Sequence, residues 1–299
     1  MVLSKELLRG GIDLHTHSGP GLFERSLNDF ELAAEARDAG MKAVLLKAHE
    51  STTVIRASLV ATQIPDIQVF GGLVLNYFVG GLNPYAVDAS IKMGARMIWM
   101  PTLSAENHLR FYRGLKPKLL RGAEDLLHPE EGIKVVDEDG QIKPQVKEIL
   151  KLIAEANIAL GTGHLSTPET KALVRAAKEL GVRKILVTHP DLKLIAMPLE
   201  DQIELAEEGA YLEKTLLTMM PMWYSISPAE MARTIKAIGA NRCVMTTDFG
   251  QLHHPRPVEG MRLFIQMMLE CGITPDEIYT MLCINPAALL GLLDSGENG

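Results

Sequence analysis

Residues 11–20 read Gly11-Ile12-Asp13-Leu14-His15-Thr16-His17-Ser18-Gly19-Pro20, a short apolar run that ends in two histidines and is broken by Gly19-Pro20. In an extended strand successive side chains alternate between faces. Asp13, His15 and His17 therefore share one side, where two neutral imidazoles can hold one divalent cation. Taken alone the pair is a weak signal, because a solvated strand end also tolerates two polar rings. Its weight comes from what recurs downstream. Gly161-Thr162-Gly163-His164, Val187-Thr188-His189-Pro190 and Met245-Thr246-Thr247-Asp248-Phe249-Gly250 each put a His or Asp where a later strand should end.

Working outward from Ile12, β-branched or apolar runs alternate with amphipathic segments, the pattern of a parallel sheet with helical crossovers. The strand candidates are Gly11 to His17, Lys42 to His49, Gln68 to Leu75, Ala95 to Thr102, Ile158 to His164, Lys184 to His189, Ala210 to Thr215 and Arg242 to Asp248. Asn83-Pro84, Thr167-Pro168, Ser227-Pro228 and Thr274-Pro275 place a capping side chain before a proline suited to a first helical turn. Ser227 with Glu230, and Thr274 with Glu277, have capping-box spacing. Gly40, Gly94, Gly181, Gly209, Gly239 and Gly272 stand where a left-handed C-cap is wanted.

Eight strand and helix pairs predict an α/β fold, a (β/α)8 TIM barrel, with an insertion after the fourth strand at about residues 104–143. The whole chain, 1–299, reads as one domain. The second half of the insertion, Ile133 to Ile142, carries an Asp-Gly turn between apolar flanks and reads as a hairpin. Its first half holds Arg110, Arg113, Lys116, Lys118 and Arg121 among Leu109, Phe111, Tyr112, Leu115, Leu119 and Leu120. That segment follows a strand's C-terminal end, so it is expected to lie over the same mouth as the histidines. The segment reads either as a solvated basic face or as a lid, and as a lid it would use Arg110 and Arg113 to bind an anionic group of a substrate.

The 299 residues are 47% hydrophobic and 22% charged with a formal net charge of −7. That balance suits a large globular core and gives no reason to expect nucleic acid as a partner. No h-region precedes the first charges, and the apolar stretch from Ile67 to Leu82 is interrupted by Gln68, Asn76 and glycines and falls short of the ~20 residues of a membrane span. Neither a signal peptide nor a membrane segment is expected. Cys243, Cys271 and Cys283 form no Cys-x-x-Cys pair and read as thiols of a reducing, cytoplasmic compartment.

In a closed barrel the C-terminal ends of all strands meet at one face. His15, His17, His164, His189 and Asp248 would then share one mouth. Four imidazoles and a carboxylate match a divalent transition metal, zinc above all, better than the oxygen-only sites of calcium or magnesium.

At this point the sequence resembles the amidohydrolase superfamily, on His-x-His at the first strand, a His ending the fifth and another the sixth, an Asp ending the eighth, and the closing Asn285-Pro286-Ala287. The resemblance implies a metal-dependent hydrolase with one or two ions on His15, His17, His164, His189 and Asp248. A metal-activated water would attack an amide, lactone or ester carbonyl. Asp248 would take the water's proton, and His189 or the metal would polarise the carbonyl. The fourth strand lacks the bridging Lys or Glu of many binuclear members. The second strand offers Lys47 and His49 instead, on one face, as further catalytic candidates.

Glu213 reads as a strand residue paired with a neighbour, His253 and His254 as a solvated loop, and His108 and His128 as insertion residues without a chemical role. Rival readings are a phosphoesterase resembling the PHP family, a mononuclear-metal decarboxylase, and a metal-binding barrel without turnover. The implied partner is a small-molecule substrate, with a homo-oligomer left open and neither nucleic acid nor membrane called for.

Overall fold

The computed structural model describes residues 2–113 and 131–293. Eight parallel strands follow one another in chain order: β1 (Ile12–Thr16), β2 (Ala43–Leu46), β3 (Gln68–Val74), β4 (Met97–Trp99), β5 (Ala159–Gly161), β6 (Ile185–Val187), β7 (Tyr211–Thr215) and β8 (Cys243–Thr246). All eight fall inside the stretches expected from the sequence. The strands are short and largely buried on both faces, as parallel strands covered by helices are. The sheet closes just beyond β8, where Thr16 pairs with Phe249 in parallel. There the Asp248 amide donates to the His15 carbonyl at 2.9 Å and the His17 amide to the Phe249 carbonyl at 2.8 Å. The fold is a (β/α)8 barrel.

Helices between the strands start and stop largely where their punctuation indicates. Asn83, Ser227 and Thr274 cap their helices through side-chain oxygens. Thr167 does not cap: it opens the helix Thr167–Glu179, and Ser166 one residue earlier is the N-cap, in a capping box with Glu169. Ser166 wins because the box needs its partner three residues on, and Glu169 stands there. Asn28 and Glu31 form a further box, unforeseen, at the start of Asp29–Asp38. The expected hairpin reduces to one antiparallel bridge, Val136 to Ile142, around a turn at Asp137 to Gly140.

Two apolar clusters fill the layer between strands and helices. A third joins Ile12, Leu14, Ala43, Leu45, Val74, Met97, Trp99, Ala159, Leu186 and Val244 to Ala287, Leu289 and Leu290 of the C-terminal helix Asn285–Leu290. Asn285 fixes that helix to the barrel by donating to the carbonyls of Ala240 and Cys243. Trp99, fully buried, is the largest side chain of this third cluster. Its indole fits because β3 and β5 present Gly72 and Gly161 to it: a Cβ on Gly161 would stand 2.2 Å from Trp99 Cδ1. Lys47 Nζ lies 5.4 Å from the centre of the ring, so Trp99 separates apolar interior from polar mouth.

Gly161→Ala therefore forces overpacking against a ring that has nowhere to move. We expect a loss of about 1–3 kcal/mol, the usual cost of an extra core methyl, read as a lower urea midpoint with an unchanged m-value. An unchanged midpoint would show that Trp99 is less constrained than its surroundings indicate.

Candidate metal centre

The closing seam of the barrel sets this centre. The register of β1 against β2 shifts between Asp13 and Thr16, and the strand then runs on beside the segment after β8. Asp248 adopts a left-handed φ of 56°, which Asp tolerates better than most residues. Gly250 is required by close approach, since at its φ of 140° a Cβ would stand 1.5 Å from the His17 carbonyl oxygen. Asp13, buried, accepts from the Thr247 hydroxyl at 2.6 Å and ties β1 to β8 a second time. Burial raises its pKa to about 7, against the hydrogen bonds from Thr247 and His15.

The seam brings three ligand atoms together. Asp248 Oδ1 lies 3.0 Å from Nε2 of His15 and 3.0 Å from Nε2 of His17. The other nitrogen of each ring is held from behind: His15 Nδ1 is 2.9 Å from Glu213 Oε1, and His17 Nδ1 is 2.9 Å from the Lys47 carbonyl oxygen. A carbonyl only accepts, so His17 carries its proton on Nδ1 and turns a lone pair forward. A ligating histidine is ordinarily held this way by a carboxylate or carbonyl on its far nitrogen. His15, His17 and Asp248 form a group that could hold a metal ion, with ligand atoms within 4.8 Å of one another.

The electrostatics fit a cation at that point. Burial opposes charge on His15, but Asp248 and Glu213 outweigh both burial and the repulsion of Lys47 and push its pKa up to about 9. A proton on His15 is thus one cation that two imidazoles and a carboxylate can hold, and a metal ion could take the same role. Asp248 stays ionised: burial raises its pKa, and His15 and His17 bring it well below the usual carboxylate range. Burial, with Arg25 next, lowers His17 to about 3. Burial also lowers His189 to about 4 and takes His49 and His164 well below their ordinary value, so these rings are neutral, the form that ligates.

The remaining candidates surround this group without joining it. Lys47 Nζ is 2.9 Å from His15 Nε2, and burial lowers its pKa. His49 stacks on His17 at 5.0 Å between centroids and is fixed by Thr102 at 3.0 Å, itself held by Asn76. His189, with a φ of 26°, lies with its ring 5.8 Å from that of His15 and 4.9 Å from that of His164. Its Nδ1 is buried and has no partner among the described residues. Glu213 organises both groups, accepting from the His189 amide through Oε2 and facing His15 through Oε1. Its expected pairing with a neighbour is therefore a pairing with His15.

A cavity of about 70 Å³ opens over these residues. Several of its lining side chains escaped the sequence reading, His108, Arg25 and Trp223 among them. His108, read as having no chemical role, meets His164 at 2.8 Å between Nδ1 atoms and packs its ring, tilted, against Tyr112 one turn on. The short helix Glu106–Tyr112 carries it there, docked by Asn107 on the carbonyls of His164 and Leu194. The i and i+4 spacing of His108 and Tyr112 was the available signal. Arg25 and Trp223 also line the cavity, from loops whose course no periodicity reveals. Arg110 and Arg113 are exposed and do not line it, Arg110 donating instead to Asn107 on its own helix. Lys116, Lys118, Arg121 and His128 lie outside the described residues. His254 is half-buried rather than solvated, stacked on Phe249 and bonded to Gln251.

No curated protein matches the chain by sequence. Its backbone is similar to that of an amidohydrolase from Pseudomonas aeruginosa, with 12% identity, a TM-score of 0.66 and 97% of each chain covered. It is also similar to the probable dipeptidase PvdM from Pseudomonas aeruginosa (10% identity, TM-score 0.64, 96% of each chain). A lactonase from Listeria monocytogenes is a third such structure (14%, 0.58, 96% of this chain and 97% of that one). These likenesses establish the fold, a (β/α)8 barrel. The profile of a family of unknown function, DUF6282, matches residues 10–213, and the chain belongs to that family.

Proposed function

We propose that the chain is a metal-dependent hydrolase that cleaves an amide, lactone or ester carbonyl of a small anionic substrate. One observation carries this reading: Nε2 of His15, Nε2 of His17 and Oδ1 of Asp248 converge in a buried mouth, with the far nitrogens of both rings already engaged. The similar folds bear names of carbonyl hydrolases, an amidohydrolase, a probable dipeptidase and a lactonase, which supports the same chemistry here.

His15, His17 and Asp248 would hold a first ion, and His164 and His189 are assigned to a second. Nitrogen-rich donors with a carboxylate favour zinc. Such a cation, when bound, supplies Lewis acidity and water that deprotonates near pH ~7. Asp248, anionic at neutral pH, accepts the proton of the attacking water and returns it to the leaving group. His189, neutral with an unengaged Nδ1, orients the carbonyl. Glu213 keeps the His15 ring turned toward the mouth, and His49, fixed by Thr102, packs the His17 ring in place. Lys47 places an amine against His15 and balances the charge of Asp248. No helix among the described residues is long and apolar enough to cross a membrane. The three free thiols support a place in the cytoplasm.

Metal analysis of the purified protein should find one or two transition-metal ions per chain, and changing His15 and His17 together to Ala should remove the first while circular dichroism stays unchanged. Full retention of metal in that double variant would sink the ligand assignment. Asp248→Asn should keep much of the metal yet lose at least ~10²-fold in turnover across a panel of lactones, amides and esters. An active variant would move proton transfer elsewhere. Glu213→Gln, which weakens the hold on His15 Nδ1, should cost roughly 10–100-fold in metal affinity. Unaltered affinity would make Glu213 a structural residue only.

A further inference from the structure

Arg25 stands on the loop between β1 and the helix Asp29–Asp38, and that loop is tied at both ends. Gly19 and Leu27 bond across its neck at 2.9 Å, and Asp29 returns its amide to Gly19 at 2.8 Å. The Ser26 amide donates to the Gly250 carbonyl, beside the metal centre. Beneath it, buried Asp29 is gripped by Arg56 through both carboxylate oxygens at 2.7 Å and by the Ser18 hydroxyl. The position of Arg25 is therefore set by the loop before any substrate arrives.

Its guanidinium lies 5.7 Å from the centre of the Phe23 ring, and Phe23, buried, packs edge-on against His49. Half-buried, Arg25 lines the cavity yet makes no hydrogen bond or ion pair among the described residues. Glu50 and Asp248 act on it by charge without reaching ion-pair distance, and Glu50 is itself bonded to the Leu22 amide. A guanidinium at the cavity wall whose donors are committed to no described side chain or carbonyl is free to pair with a ligand there. The other cation of the cavity, Lys47, is already placed against His15. Leu103, Leu192, Leu194, Leu217 and Trp223 line the same cavity.

Resting on the hydrolase reading of this mouth, we propose that Arg25 is the residue that recognises substrate, binding a carboxylate bidentately, and that the substrate is a small monocarboxylate with an apolar body. One fork of donors matches one carboxylate. A phosphoryl dianion would call for a second free cation, and none of the other described lining residues offers one.

Both tryptophans of the chain are at this site, Trp223 lining the cavity and Trp99 under Lys47, so intrinsic fluorescence reports binding without turnover. Phenylacetate, its neutral analogue phenylacetamide, and phenylphosphonate are titrated into the metal-loaded protein and into Arg25→Gln, Arg25→Lys and Glu50→Gln. Phenylacetate should bind the native protein about tenfold or more tighter than phenylacetamide, as a charge-assisted pair requires. Arg25→Gln should erase that difference while leaving phenylacetamide affinity and metal content unchanged. Arg25→Lys should restore part of it, and Glu50→Gln should preserve it.

Equal affinity for acid and amide in the native protein would overturn the proposal, as would an Arg25→Gln variant that still prefers the acid. So would loss of the preference in Glu50→Gln, which would make Arg25 a structural partner of Glu50. Phenylphosphonate binding roughly tenfold tighter than phenylacetate through Arg25 would replace the carboxylate site by a phosphoryl site. Absence of turnover with Arg25-dependent binding intact would sink the hydrolase reading alone; metal and turnover without Arg25-dependent binding would sink the carboxylate site alone.

Discussion

A single carboxylate oxygen, Oδ1 of Asp248, stands 3.0 Å from two imidazole nitrogens in a mouth closed to bulk water, and that contact constrains everything around it. Three acceptor-rich atoms so close together out of solvent are unfavourable unless a positive charge sits among them. In the protein alone a proton on His15 meets that demand, and a metal ion could meet it as well. The structure spends several buried polar groups on keeping the arrangement in place. Glu213, the Lys47 carbonyl and the Thr247 to Asp13 bond all act on it from behind.

The location of that contact follows from how a parallel barrel closes. The seam between β1 and the segment after β8 joins residues more than two hundred positions apart, and its backbone bonds run through His15, His17, Asp248 and Phe249 themselves. Closing the barrel and assembling the centre are thus one event. Trp99 beneath and Gly250 beside it explain why so narrow a junction holds: the first fills the interior, and the second lets two backbones approach closer than any side chain would permit.

The barrel was legible because its signals repeat: strand runs of similar length, proline and capping residues at helix starts, glycine at helix ends. The residues gathered at the mouth were legible for a related reason, since strand alternation puts His15 and His17 on one side and parallel topology brings His164, His189 and Asp248 to the same end. What escaped belongs to loops. The insertion's five basic residues suggested a cationic lid, but Arg110 turns to Asn107 and Arg113 to solvent. The arginine that does line the cavity is Arg25, on a loop with no periodicity, whose neck is bonded at Gly19 and Leu27. His108 was misjudged for the opposite reason: on its short helix it seemed one polar residue among many, and its meeting with His164 depends on how Asn107 docks that helix.

The central claim is that Nε2 of His15, Nε2 of His17 and Oδ1 of Asp248 bind one transition-metal ion. Crystals of the purified protein measured on either side of the zinc absorption edge test it most directly. The account predicts an anomalous difference peak enclosed by those three atoms, appearing only above the edge. A metal-loaded crystal with no peak there, or with its ion bound elsewhere while Asp248 still rests against both imidazoles, would contradict it.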